Sequence, residues 1–248
     1  MKFNKYLGKT LFYFLTVFSL SVACNDITDE TPLGIVLVSD FSEGPQGWSP
    51  FFTNIPSNSV EEYQLQINIT PLPGSTGQSR NGLYVSGSNK GSEIHFFLKK
   101  EVTGLTPNKL FRLIFRMDVA TNIAATPSNF VSKSASNESG LRMLAGALSF
   151  EPNIIGNSPL TGLLEPNFNN QIPITVGDSN SDIINLGPLQ HQDEGSDFQV
   201  VQLENINYPF LARSNNAGTI WLLIGFHTDK PEDFEVYFRS VRVLFTEL

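Results

Sequence analysis

Few residues in this chain carry the side chains that chemistry needs. Cys24 is the only cysteine among 248 residues, and its thiol closes the run Leu20, Ser21, Val22, Ala23. No disulfide can therefore form within the chain. A serine nucleophile of the hydrolase type would sit on a Gly-x-Ser-x-Gly turn, and the sequence holds none. The three histidines, His95, His191 and His227, are scattered, without the HxH or HxxxH spacing that sets two imidazoles on one metal. His95, between Ile94 and Phe96, reads as a strand residue. His227 reads as the end of a strand near Asp229, in a solvated pair. Glycoside hydrolysis needs only two carboxylates about 5 to 10 Å apart, which can come from anywhere in the sequence.

Oxygen-bearing side chains alternate through Asp178, Ser179, Asn180, Ser181 and Asp182, and such a run could wrap a hard cation such as calcium through Asp178, Asn180 and Asp182. It departs from an EF-hand, because Ile183 stands where a glycine belongs and Leu189 where a bidentate glutamate belongs. Aromatic rings with amides nearby suit a different ligand. A flat ring stacks on the apolar face of a pyranose while amides and carboxylates bond its hydroxyls. Trp48, Tyr84, Tyr208 and Asn215 are the residues offering that chemistry, with Asn169, Asn170 and Asn216 in loops.

The N-terminus says where the protein works. Lys2, Lys5 and Lys9 precede an apolar run over residues 11–22 that is too short for a permanent membrane span and has the flanks of a signal peptide. The close on Leu20, Ser21, Val22, Ala23, Cys24 resembles the lipobox of bacterial lipoproteins. That resemblance implies a diacylglyceryl group on the Cys24 thiol, cleavage before it, and palmitate-class acyl chains holding residue 24 to the membrane. Several chains at about 0.8 kcal/mol per buried methylene anchor a protein far more firmly than one. Asn25, Asp26, Ile27, Thr28, Asp29 and Glu30 then form an acidic tether, which is similar to the signal that sends some lipoproteins to the outer face of the outer membrane. The expected organisation is a signal peptide over 1–23, a lipidated tether over 24–33 and one domain over 34–248, lipid-anchored at the outer membrane and either periplasmic or surface-exposed.

Those residues need a scaffold, and the composition says which. The formal charge is −8, and removing the signal takes three lysines and no acid, so nucleic acid is excluded as a partner. Twenty Phe, 19 Gly and 15 Pro spread along the chain make a strand-and-turn composition, and no stretch sustains a period of 3.6. The period of two predicts strands over 35–41, 63–69, 82–86, 93–102, 111–119, 141–150, 198–206 and 219–227. Phe111, Leu113, Phe115, Met117 and Val119 are to face the core, with Arg112 and Arg116 opposite. The segment around Trp221 and Ile224 is apolar on both faces, which predicts a central strand. In the last strand the apolar parity runs Phe234, Val236, Phe238 and then Val241, Val243, Phe245, a slip that predicts a β-bulge near Arg239 and Ser240. About ten antiparallel strands without helical crossovers make an all-β, two-sheet antiparallel sandwich. Residues 121–140 and 152–196 read as long loops, which are commonly functional.

Three segments carry a family resemblance. Asp40, Phe41, Ser42, Glu43, Gly44 with Gly47 and Trp48 resembles the opening strand of galactose-binding-like jelly rolls, including carbohydrate-binding modules. Thr103, Gly104, Leu105, Thr106, Pro107, Asn108 before the strand at 111–117, and the closing run 236–243, are similar to the middle and end of such domains. The order of segments also resembles a family of uncharacterised exported bacterial lipoproteins. The resemblance implies a jelly-roll fold and a non-catalytic, cell-surface glycan-binding role. Where many such modules carry an acidic pair on the final strand, this chain has Arg239 and Ser240, which argues against the structural calcium site they share. The second reading is an interaction or structural lipoprotein with an outer-membrane protein partner and no small ligand.

Overall fold

A computed structural model describes residues 34–91, 93–125, 140–192 and 195–248. Cys24 and the tether lie outside the described residues. Among the described residues fourteen strands follow in order: Ile35–Asp40 (β1), Ser49–Thr53 (β2), Gln66–Pro71 (β3), Asn81–Ser88 (β4), Ile94–Val102 (β5), Leu110–Thr121 (β6), Leu141–Leu148 (β7), Ile154–Asn157 (β8), Leu164–Pro166 (β9), Ile183–Pro188 (β10), Gln199–Glu204 (β11), Phe210–Arg213 (β12), Ile220–Thr228 (β13) and Asp233–Glu247 (β14). The only described helices are three 3-10 turns, and none is long and apolar enough to cross a membrane.

The strands form a two-sheet antiparallel sandwich, as the alternation predicts. One sheet runs β11-β6-β14-β4-β3, with β1 added to β14 and β12 to β6; the other runs β10-β7-β13-β5-β2; β8 and β9 form a separate hairpin. The inner faces meet in one core. Phe111, Leu113, Phe115, Met117 and Val119 of β6 are buried there with Phe96, Phe226 and Phe238. Strand β13 pairs with β7 on one side and β5 on the other, so its two-faced apolarity does mark a central strand.

The predicted bulge falls between Phe238 and Ser240, where the register of β14 against β6 shifts. There β14 also changes its second neighbour, from β4, paired through Phe238, to β1, paired from Ser240. A similar economy governs β11 and β12, which pair with successive halves of β6. Between them the buried Asn205 stands in for the ladder, accepting from Phe115 N at 2.7 Å and donating to Leu113 O at 3.2 Å.

Some expectations are corrected. The strand expected from Tyr63 begins only at Gln66, because Val60–Tyr63 form a 3-10 turn that ends on Gln64 in the left-handed conformation. The long segment 152–196 is no bare loop: it holds β8, β9 and β10.

Candidate functional site

The two sheets differ in what lies on their outer faces. On the five-stranded sheet, Phe97, Leu144, Leu148 and Leu223 point outward and pack against Phe168 and Ile183, with Phe51, Ile172 and Trp221 beside them. Phe168 comes from the segment after β9, which covers this face, its ring 5.4 Å from Phe97 and 6.3 Å from Phe51. Lys99 fastens the start of the cover, donating to Glu151 Oε1, Pro152 O and Asn153 Oδ1 at 2.6 to 2.9 Å. Backbone bonds from Asn54 N to Leu164 O and from Leu164 N to Ile55 O fix the β8–β9 hairpin beside the end of β2.

On the seven-stranded sheet the outward positions of β3 and β4 are largely polar, with an aromatic pair among them, whereas toward β1 and β12 the outward Val36, Val38 and Leu211 are exposed. Tyr84 of β4 and Tyr237 of β14 are register partners with ring centroids 4.8 Å apart, and Phe198 meets Tyr237 edge-on at 5.3 Å. Both tyrosines are half-buried, so each ring keeps surface exposed. Alternation puts Gln66 and Asn68 of β3 on the same face, opposite Ser86 and Tyr84. A shallow groove of about 200 Å³ runs beside the pair, lined by Gln64, Gln66, Tyr84, Ser86, Asp233 and Glu235. The Tyr84 hydroxyl donates to Glu235 Oε1 at 3.0 Å; burial, and then the Glu235 carboxylate, pushes the phenol above its ordinary range. Burial likewise raises Tyr237. A wider cleft of about 480 Å³ lies at the other end of β4, in the loop 71–81; its Arg80 is engaged by Asp40.

The residues singled out from sequence are distributed as follows. Tyr84 is on this open face. Tyr208 is 54 % exposed in the turn between β11 and β12, its ring lying so close over Gly177 that a Cβ there would meet it at 2.5 Å. Asn215 is committed to its own turn, accepting from Ala217 N and Thr219 N at 2.9 and 3.0 Å. Trp48 is corrected to a core residue: it is 4 % exposed and its indole donates to Ser39 Oγ at 2.9 Å, so its ring offers no face to a ligand. Asn180 Oδ1 accepts from Asp182 N and Ile183 N, and Asp182 Oδ2 from Asn169 N, all at 2.7 to 2.8 Å. These oxygens hold the loop in shape, while Asp178 is exposed.

The sequence does not single out Tyr237, which falls between the inward Val236 and Phe238 of the last strand. Its pairing with Tyr84 depends on a register that joins distant strands. His95 lies in β5 as expected, 3 % exposed, and His227 lies near the end of β13, but the solvated pair is corrected: His227 is 5 % exposed, and the acid beside it is Glu93, not Asp229.

No protein-family model matches the chain, and no curated protein matches it either. Among solved structures it is similar to a xylan-binding domain from Paenibacillus barcinonensis, with 8% identity over 87% of this chain and 97% of that one at a TM-score of 0.38. It is likewise similar to an adhesin domain of Lys-gingipain from Porphyromonas gingivalis, at 13% identity, 84% and 97% coverage and a TM-score of 0.38. A family 11 carbohydrate-binding module of a cellulosomal cellulase from Clostridium thermocellum matches at 11% identity, 84% and 94% coverage and a TM-score of 0.37.

Proposed function

We propose that this chain is a lipid-anchored lipoprotein of the outer membrane that binds a glycan, without catalysis, on the open face of its seven-stranded sheet. The observation that carries the reading is the Tyr84–Tyr237 pair beside a groove lined by amides, hydroxyls and carboxylates. Paired rings held half-buried by the sheet give a rigid apolar platform at little cost in side-chain entropy. Gln66 and Asn68 supply donors and acceptors beside the rings, and Glu235 an acceptor. A groove so open suits a chain laid along it rather than a small molecule enclosed within it. In this reading the lipid on Cys24 keeps the domain at the membrane and the polysaccharide is what it holds there.

The test is calorimetric titration of the full chain in detergent with a panel of neutral and acidic polysaccharides and their oligosaccharides. Saturable heat that Tyr84→Ala or Tyr237→Ala weakens by about tenfold or more, roughly 1.4 kcal/mol, and that Tyr208→Ala leaves alone, is the expected result. Silence across the panel from a chain shown to be folded overturns it and favours the interaction lipoprotein.

A further inference from the structure

The outer face of the five-stranded sheet holds a second group of side chains that the glycan reading does not use. Thr53, His95, His227 and Arg142 are successive register partners on β2, β5, β13 and β7, and so form one row across four strands. Glu93 precedes His95 by two residues, the spacing that returns a chain to the same side. Its carboxylate oxygen Oε1 stands 2.8 Å from His227 Nε2 and 3.6 Å from His95 Nε2. The two imidazoles are 5.4 Å apart between centroids and inclined at 64°, so their Nε2 atoms converge without the rings stacking. One ligand atom from each of the three residues fits within a span of 4.8 Å.

Buried polar atoms ordinarily find partners, and these do not. Neither Nε2 has a hydrogen-bond partner of good geometry, and the contact each keeps is with Glu93 Oε1, nearer for His227 than for His95. Thr53 Oγ1, buried in the same row, also has no partner. Two imidazole nitrogens converging beside a carboxylate that is 47% exposed describe a nest open on one side. Asn170, from the covering segment, reaches His95 Nδ1 at 3.4 Å. With the amide turned so that its oxygen faces the ring, an assignment that geometry leaves free, Nδ1–H donates to it and Nε2 is left bare. That is how a ligating histidine is usually oriented.

We propose that Glu93, His95 and His227 form a binding site for a divalent transition-metal ion, with zinc the best match. Two imidazole nitrogens and one carboxylate oxygen are a donor set zinc takes, with a fourth position left for water. Calcium and magnesium, which want six or more oxygens or octahedral oxygen shells, are poorly served. The ion would tie the entry of β5 to β13 and stand under the edge of the covering segment. The site lies on the opposite sheet from the tyrosine pair, so each proposal survives the failure of the other.

The experiment is titration of the chelator-stripped full chain in detergent with zinc chloride, followed by zinc-edge X-ray absorption on the loaded protein. Expected are one-to-one saturable uptake and a first shell with two nitrogens at about 2.0–2.1 Å and carboxylate oxygen at about 2.0–2.2 Å. Asn170→Ala should weaken binding by about tenfold, and Glu93→Gln by more. Where His227→Ala fails to fold, Glu93→Gln, at a half-exposed position, carries the test. Absence of saturable uptake, an oxygen-only shell, or affinity that Glu93→Gln leaves within twofold would overturn the proposal; the last two would place the ion elsewhere on the acidic chain.

Discussion

The outer face of the seven-stranded sheet shows Gln66, Asn68, Tyr84 and Glu235 to solvent, whereas the outer face of the five-stranded sheet buries Phe97, Leu144, Leu148 and Leu223 under chain from its own long connection. Both sheets close the same core from opposite sides. The difference lies in the second set of alternate positions: polar on β3 and β4, apolar at Phe97 of β5, Leu144 and Leu148 of β7 and Leu223 of β13. A sheet whose outward residues are polar stays open and can receive a ligand. One whose outward residues are apolar must recruit a cover, and the cover then decides what reaches it.

The contrast can be broken most directly by truncating one aromatic on each face. Phe97→Ala empties a fully buried site and should cost about 3–5 kcal/mol of unfolding free energy, read by chemical denaturation, while Tyr84→Ala should cost about 1 kcal/mol or less. Equal losses would mean that the tyrosine face is also covered. A smaller effect tests the cover itself. A Cβ at Gly146 would meet Asp182 O at 2.2 Å, so Gly146→Ala must push the covering segment off β7, at about 1–3 kcal/mol. Faster hydrogen exchange in residues 168–183, with β6 unchanged, is the expected signature. Smallest is a spectroscopic shift on the open face. Ultraviolet titration of the wild type minus Tyr84→Phe should place the Tyr84 phenol above an ordinary tyrosine, because burial and then the Glu235 carboxylate disfavour the phenolate. Glu235→Gln removes that carboxylate and should move the step down.

Much of this was legible in the sequence where the period of two was clean. The β6 alternation placed five core residues and their two arginines on the correct sides, the β13 run predicted a central strand, and the parity slip located the bulge to within a residue. Short strands, or strands whose alternation is broken, were not legible. Strand β2 holds Pro50 and two adjacent phenylalanines, which hide its alternation, and β8 to β10 lie in a stretch whose Gly, Pro and Asn content reads as loop. The type of Trp48 suits a stacking ring, while its place just after a core strand points to packing, and the folded chain decides for the core, with Ser39 accepting from its indole. The Glu93, His95, His227 group left one local trace, a Glu-x-His pair on a predicted strand. Its third member arrives through the pairing of β5 with β13, and search by spacing does not see across a sheet.

The bulge in β14 also bears on which lengths of this chain can fold. Along an ordinary strand, loss of a single codon turns every following side chain to the wrong face. At Arg239 it would do the reverse. Phe238 and Ser240 already oppose consecutive residues of β6, Val119 and Asp118, so removing the extra residue leaves a regular ladder with Val241, Val243 and Phe245 still inward. What would be lost is the grip of Arg239 on Asp118 and Gln78, while Ser240 keeps its own bond to Asp118. The final strand thus contains one place where an in-frame deletion is survivable, set among neighbours where it is not.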